Sequence, residues 1–338
     1  VAALFAVTSL ATAATLPDPR PESAVDAVLA AFEEHPVVAL GMQHQQQDEA
    51  DFSLHVVRDP RFASAVNDVV VECGNPLYQA VLDQYISGGT VPIERLQLVW
   101  RNTTQPGRCD PRQHRELLDA VREVNRERPA SRQLRVLAGD APVDWEKVRR
   151  PEDMRPFLNR RDIDFAHVVE TEVLARHRKA LLVIGAGHVL RHPITWKDVS
   201  DPPAPTVTMI LESAHPHTVF VILPHDGYGT RLPEFEGRMA AWPKPALVRL
   251  PGTWLGAVQG KVVFGANIRR VGAAAGEDDD PYYGFNLQDL ADGYLYLGPL
   301  ASLNRVQWPD LAGTAYAKEI ERRNGLMEMQ AAPAPLPR

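Results

Sequence analysis

Three residues of this chain stand where acid–base chemistry or metal ligation is easily arranged: His44, Glu72 and His188. His44 closes the segment Gly41-Met42-Gln43-His44, and His188 closes Gly185-Ala186-Gly187-His188. Glu72 follows the apolar run Val69–Val71 and precedes Cys73-Gly74-Asn75. Two imidazoles and a carboxylate brought together suit a divalent ion such as zinc or manganese, which takes nitrogen and oxygen donors. The same trio suits metal-free chemistry, in which a carboxylate orients an imidazole that activates water. Glycines beside these residues permit tight turns and close approach of a ligand to the backbone. Asp140, in Gly139-Asp140, and the pair His225-Asp226 after Pro224 occupy similar settings. Asp140 suits the cap of a following helix equally well. Arg101, in Trp100-Arg101-Asn102-Thr103-Thr104, could hold an anionic group or a developing oxyanion, or form a surface ion pair.

What places these residues together is the pattern of apolar runs. Six of them read as strands rich in Val, Leu and Ile: Val37–Leu40, Val69–Val71, Leu134–Leu137, Leu181–Ile184, Val219–Leu223 and Tyr294–Leu297. Helical spacing marks Ala24–Phe32, Pro76–Ile86, Gln113–Asn125 and Phe165–Ala175 between them. The alternation predicts an α/β fold, a mainly parallel central sheet of about six strands with helices on both faces. In such sheets ligands bind outside the carboxyl ends of the strands. His44, Glu72, Asp140, His188 and His225-Asp226 each follow a strand, so all are expected at that one edge. His215 and His217 precede a strand and belong to the opposite edge. His114, His177 and His192 read as surface residues.

Two stretches break the rhythm: the charged, Pro-containing excursion 140–164 and the irregular segment 233–289 with its acidic run Glu277–Asp280. That run lacks the alternating ligand spacing of a calcium loop and reads as a solvated turn. Residues 1–14 look like the apolar part of a secretory signal, with Ala11-Thr12-Ala13 as the cleavage site. A single α/β domain is expected over 15–330, and the Ala/Pro-rich tail 331–338 is expected to be disordered. No segment is long and apolar enough to span a bilayer. The net charge of −7 argues against nucleic acid as a partner and leaves a small-molecule or peptide substrate. Nothing in the pattern fixes an oligomeric state. The two cysteines, Cys73 and Cys109, can pair in a periplasmic or secreted protein, or remain one buried and one exposed thiol. There is no Walker motif, no Gly-x-Ser-x-Gly elbow and only a partial dinucleotide fingerprint at Gly185-x-Gly187. Serine hydrolase chemistry is thereby disfavoured.

The order Gly41–His44, Glu72, Gly185–His188 resembles the superfamily of the erythromycin esterases, the ChaN-like haem-binding proteins and the TraB and Tiki proteins. Val69–Tyr78 and Ala291–Pro299 are similar to members of that group, and the likeness extends over nearly the whole mature chain. The resemblance implies two functions. One is an ester or amide hydrolase, with His44 as base or ligand, Glu72 orienting it or binding metal, His188 as second ligand or acid, and Arg101 holding an oxyanion. The other is a periplasmic haem- or metal-binding protein, to which Met42, Tyr78 and Tyr85 could contribute ligands. One departure stands out: many relatives carry Glu directly after the first Gly, where this chain has Met42. Glu49 or Asp48 would have to stand in for it.

Overall fold

In a computed structural model, which describes residues 16–44, 46–109, 112–158, 160–192, 205–226, 233–260 and 285–327, the apolar runs become strands buried on both faces. The signal-like residues 1–14, the acidic run Glu277–Asp280 and the tail 331–338 lie outside the described residues. The strands are β1 (Glu22–Ser23), β2 (Val37–Met42), β3 (Asp68–Val71), β4 (Arg135–Ala138), β5 (Ala180–Gly185), β6 (Val219–Pro224), β7 (Ala246–Arg249) and β8 (Gly293–Tyr296). They form one sheet in the order β1-β7-β8-β6-β2-β5-β3-β4. All six predicted strands are present and parallel along β8-β6-β2-β5-β3-β4. The sheet is wider than expected: β7, inside the stretch read as irregular, runs antiparallel to β8, and β1 runs antiparallel to β7.

Successive residues of each strand face opposite ways, and the two resulting layers are distinct. Val37, Ala39, Val70, Leu182 and Ile184 pack with Phe165, Val169, Val207 and Leu211 on one face. Val38, Leu40, Val69, Val71 and Leu181 pack on the other with Val28, Phe52, Leu82, Leu96 and Leu117. The helices that supply these residues are α1 (Ala24–Glu34), α2 (Gln47–Arg58), α3 (Gln79–Ile86), α4 (Ile93–Arg101), α5 (Arg112–Arg126), α6 (Arg161–Val168) and α7 (Val207–Ala214). Helices thus cover both faces. No helix among the described residues is long and apolar enough to cross a membrane.

The excursion 140–164 builds a small core of its own. Val143, Trp145, Val148 and Met154 cluster with Met327, which follows helix α8 (Ala315–Leu326). From this side Trp145 Nε1 donates to the carbonyl of Thr103 at 3.0 Å, and Arg323 Nη2 donates to Asn102 Oδ1 at 2.8 Å. The loop 102–109 is therefore held against the carboxyl edge of the sheet. Its far end is tied covalently: Cys109 forms a disulfide with Cys73, Cα to Cα 5.4 Å. Of the two readings left open for the cysteines, pairing is the one the structure shows. An oxidising compartment is where such a bond persists.

Candidate functional site

Parallel pairing brings the carboxyl ends of β2, β5 and β3 side by side. Met42 pairs with Gly185, and Val71 pairs with Val183. Glu72 is the first residue past β3, and its backbone N–H still donates to the carbonyl of Val183 at 3.1 Å. This directs its side chain under the turn that follows β5, where Gly185 N–H donates to Glu72 Oε2 at 2.7 Å. A side chain at Gly185 would begin 3.2 Å from that same oxygen. Glycine is needed there for the carboxylate to come this close.

Glu72 is buried, and its other oxygen is surrounded by donors. Arg161 Nη2 and Gln105 Nε2 each donate to Oε1 at 2.6 Å, and His188 Nε2 lies 3.7 Å away. His188, on the short turn Ala186–Val189, meets Asp162 through Nδ1 at 2.8 Å. Arg161 and Asp162 open helix α6, so one helix terminus supplies both the cation for Glu72 and the anion for His188. Arg161 Nε also approaches Asp140 Oδ1 at 3.4 Å. Asp140 in turn accepts from the Thr104 backbone N–H at 2.5 Å and hydroxyl at 2.7 Å, which anchors loop 102–109 a second time.

His44 sits two residues past β2. It lines a cleft together with Glu72, Gly185, Met42, Trp100 and Leu118. Glu72 joins the three residues singled out in the sequence: His44 shares this cleft with it, and His188 lies with it in a smaller pocket lined by Asp140, Arg161 and Asp162. Their electrostatics differ sharply. Burial lowers the His44 imidazole below its ordinary value; Arg108, Arg161 and His188 add to this against the opposing charge of Glu72. Burial pulls His188 the same way, but the charge and hydrogen bond of Asp162 outweigh it and hold that imidazole above its ordinary value. Burial pushes Glu72 upward, yet His188, Arg161, His44 and the Gly185 N–H together keep its carboxyl well below the usual range. Burial leaves Asp140 above the usual range despite Arg161 and Thr104. Arg161 is shared by the two carboxylates, and the charges of Asp140 and Glu72 together hold its guanidinium above its ordinary value against burial.

This donor set does not fit a divalent ion at Glu72. One carboxylate oxygen already faces a guanidinium and an amide N–H, and the other faces a backbone N–H. A cation approaching either would meet positive charge. Among the described residues, the His, Cys, Asp and Glu side chains close enough to share an ion are Cys73, Cys109 and His114, whose sulfurs are spent on each other.

Arg101 is not at the site. It ends α4, where its guanidinium lies over the Tyr316 ring at 4.2 Å and donates to Gln97 Oε1 at 2.9 Å. The cations near Glu72 and His44 are Arg161 and Arg108 instead. The tyrosines considered as haem ligands are engaged elsewhere, Tyr78 with Asn102 Nδ2 at 2.6 Å and Tyr85 with Asp119. His225 also lies apart, buried between the Tyr294 hydroxyl at 2.8 Å and Glu236 Oε1 at 3.2 Å. Neither candidate replacement for the missing Glu reaches the cleft. Asp48 binds the Asn304 backbone N–H at 2.5 Å, and buried Glu49 accepts from the Gln43 N–H at 2.6 Å. Sequence reasoning missed Arg161, Asp162, Gln105 and Arg108. Two of these open α6, and the charged run Arg160-Arg161-Asp162-Ile163-Asp164 just before an apolar helical pattern was the available signal.

No protein-family profile matches the chain, and no curated protein matches it in sequence. Solved structures do match in fold. A Bacillus cereus protein aligns with a TM-score of 0.57 and 12% identity, covering 87% of this chain and 97% of its own. A succinoglycan biosynthesis protein gives 0.54 and 11%, covering 86% and 96%. A His-to-Asn variant of an erythromycin esterase, in its open conformation, gives 0.52 and 13%, covering 80% and 92%. The chain has the erythromycin esterase fold. At these identities the likeness concerns the fold alone.

Proposed function

We propose that the protein is an exported hydrolase acting on an ester or amide carbonyl, with His44 and His188 as its base and acid. The observation that carries this reading is the convergence of two imidazoles on one buried carboxylate, His188 Nε2 at 3.7 Å from Glu72 and His44 lining the cleft beside it, in surroundings that shift the two rings in opposite directions. Titratable groups whose surroundings push them apart are what acid and base roles require. His44 stays neutral near neutral pH and takes a proton from water as its oxygen bonds to the carbonyl carbon. The tetrahedral intermediate then collapses; the bond to the leaving oxygen or nitrogen breaks, and His188 supplies the proton that group needs. Exchange with solvent resets both rings. Glu72 stabilises the cationic form of either imidazole, and Arg161, Gln105 and Gly185 hold it in place. No metal ion takes part in this scheme.

The substrate is a small molecule or peptide with an apolar body, since Met42, Trp100, Leu117, Leu118 and Trp308 line the cleft. An esterase among the structures of like fold supports ester chemistry. The disulfide supports a periplasmic or secreted location.

The test is a panel of chromogenic esters, lactones and amides with apolar acyl groups. His44→Ala and His188→Ala should each lower kcat/KM by about 10²–10⁴-fold with an unchanged far-ultraviolet circular dichroism spectrum. A chelator should leave the rate unaltered. Wild-type rates in both variants would sink the proposal. So would a stoichiometric Soret band on haem addition that His44→Ala abolishes, which would favour a haem-binding role.

A further inference from the structure

The cleft holds a second group of ligating side chains that the acid–base scheme does not use. Cys73 is the second residue past β3, Cys109 closes loop 102–109, and His114 lies in the first turn of α5. Their ligand atoms all lie within 4.8 Å of one another. In the oxidised form the sulfurs are bonded together. We propose that two-electron reduction of Cys73–Cys109 converts this cluster into a Cys₂His zinc site.

The chemistry balances simply. A dithiol reductant passes two electrons and two protons to the disulfide, giving two thiols, and is itself oxidised to a disulfide. Zinc then displaces both protons, forming two zinc–thiolate bonds and one bond to the His114 ring. Tetrahedral zinc, with bonds of about 2.3 Å to sulfur and about 2.0–2.1 Å to nitrogen, sets ligand atoms roughly 3.4–3.8 Å apart. The sulfurs, bonded to each other in the oxidised form, must part to that spacing, and the His114 ligand nitrogen lies within 4.8 Å of both. Cys73 and His114 both line the cleft, so an ion held by them would be reached from it.

Cobalt serves as the visible probe. The intact protein is titrated with cobalt under anaerobic conditions, as isolated and after reduction by a phosphine. The reduced protein should take up one equivalent, with a thiolate-to-cobalt charge-transfer band and tetrahedral d–d bands, and zinc should displace it. The oxidised protein and Cys73→Ser should show neither band. His114→Ala should weaken binding at least about tenfold and change the d–d envelope. Equal cobalt uptake before and after reduction overturns the proposal, as does an unchanged spectrum in His114→Ala. A reduced chain that loses its native circular dichroism and does not regain it with zinc also overturns it.

Discussion

Asp162 sets the direction in which His188 titrates. Without that carboxylate, burial and Arg161 would both lower the imidazole, as burial lowers His44. The activity profile should therefore be a bell. The acid limb belongs to His44, which must be neutral, and lies below the ordinary imidazole value of about 6.5. The alkaline limb belongs to His188, which must be protonated, and lies above it. Asp162→Asn keeps a hydrogen-bonding side chain but removes the charge. It should move the alkaline limb to lower pH and leave the acid limb in place, costing about tenfold in rate on that limb for each unit moved. An unchanged profile of kcat/KM against pH would mean that Asp162 only fills space. Asp162 was invisible in the sequence for a plain reason. His44, Glu72 and His188 follow strands directly, so the carboxyl-edge rule places them. Asp162 and Arg161 arrive from a segment that leaves the sheet after β4 and returns as a helix, and no local pattern states where that return ends.

At the scale of elements, legibility followed burial. β2 through β6 and β8 lie under helices on both sides, so their sequences are nearly unbroken apolar runs. β7, with the sequence Ala-Leu-Val-Arg, is four residues long and sits among prolines and glycines, and only its antiparallel pairing to β8 makes it a strand. Helix α2 was missed because polar and apolar residues nearly alternate along Asp51–Val56, imitating a strand, while its buried face includes Glu49 and Ser53. The site depends on such junctions between elements. Gly139, after β4, lies under Phe165 of α6: a Cβ there would stand 2.4 Å from the ring. Gly139→Ala must push α6 outward, carrying Arg161 and Asp162 away from Glu72 and His188. Overpacking of this kind costs about 1–3 kcal/mol of stability, measurable by urea denaturation, and kcat should fall more steeply than the fraction folded. Cys109→Ser tests the other support. Losing the cross-link should cost about 2–4 kcal/mol and free the loop that carries Gln105. If kcat/KM is then unchanged at a temperature where the variant is folded, the loop does not position Glu72.

Across the whole molecule the buried ionisable groups divide into two sets with opposite consequences for stability. Glu72 is held low, and His44, His192 and His225 are lowered by burial. Groups whose folded pKa is depressed contribute stability that is present above their unfolded value and lost as pH falls. Glu49, Asp68, Asp140 and Asp226 are raised by burial, Asp226 to about 6, and His188 is raised by Asp162. These contribute stability that is complete below their unfolded values and lost as pH rises through the folded ones. The melting temperature should therefore fall as pH drops through the first set and fall as pH rises through the second. Glu49 isolates the alkaline decline. Its carboxyl is buried, faces the charge of Asp226, and accepts the Gln43 N–H through Oε2 while Oε1 finds no donor among the described residues. Glu49→Gln keeps an acceptor for Gln43 and removes the titration. The variant should melt close to the wild type below the ordinary glutamate value of about 4.3 and above it at about pH 8, the gap opening as pH rises toward the folded value. Thermal unfolding followed by circular dichroism across that range measures the gap. If the gap is constant with pH, Glu49 titrates alike in the folded and unfolded chains, and the alkaline decline must come from the other raised groups. If Glu49→Gln is the less stable protein at about pH 8, the ionised carboxylate is favoured in the fold by more than its burial costs.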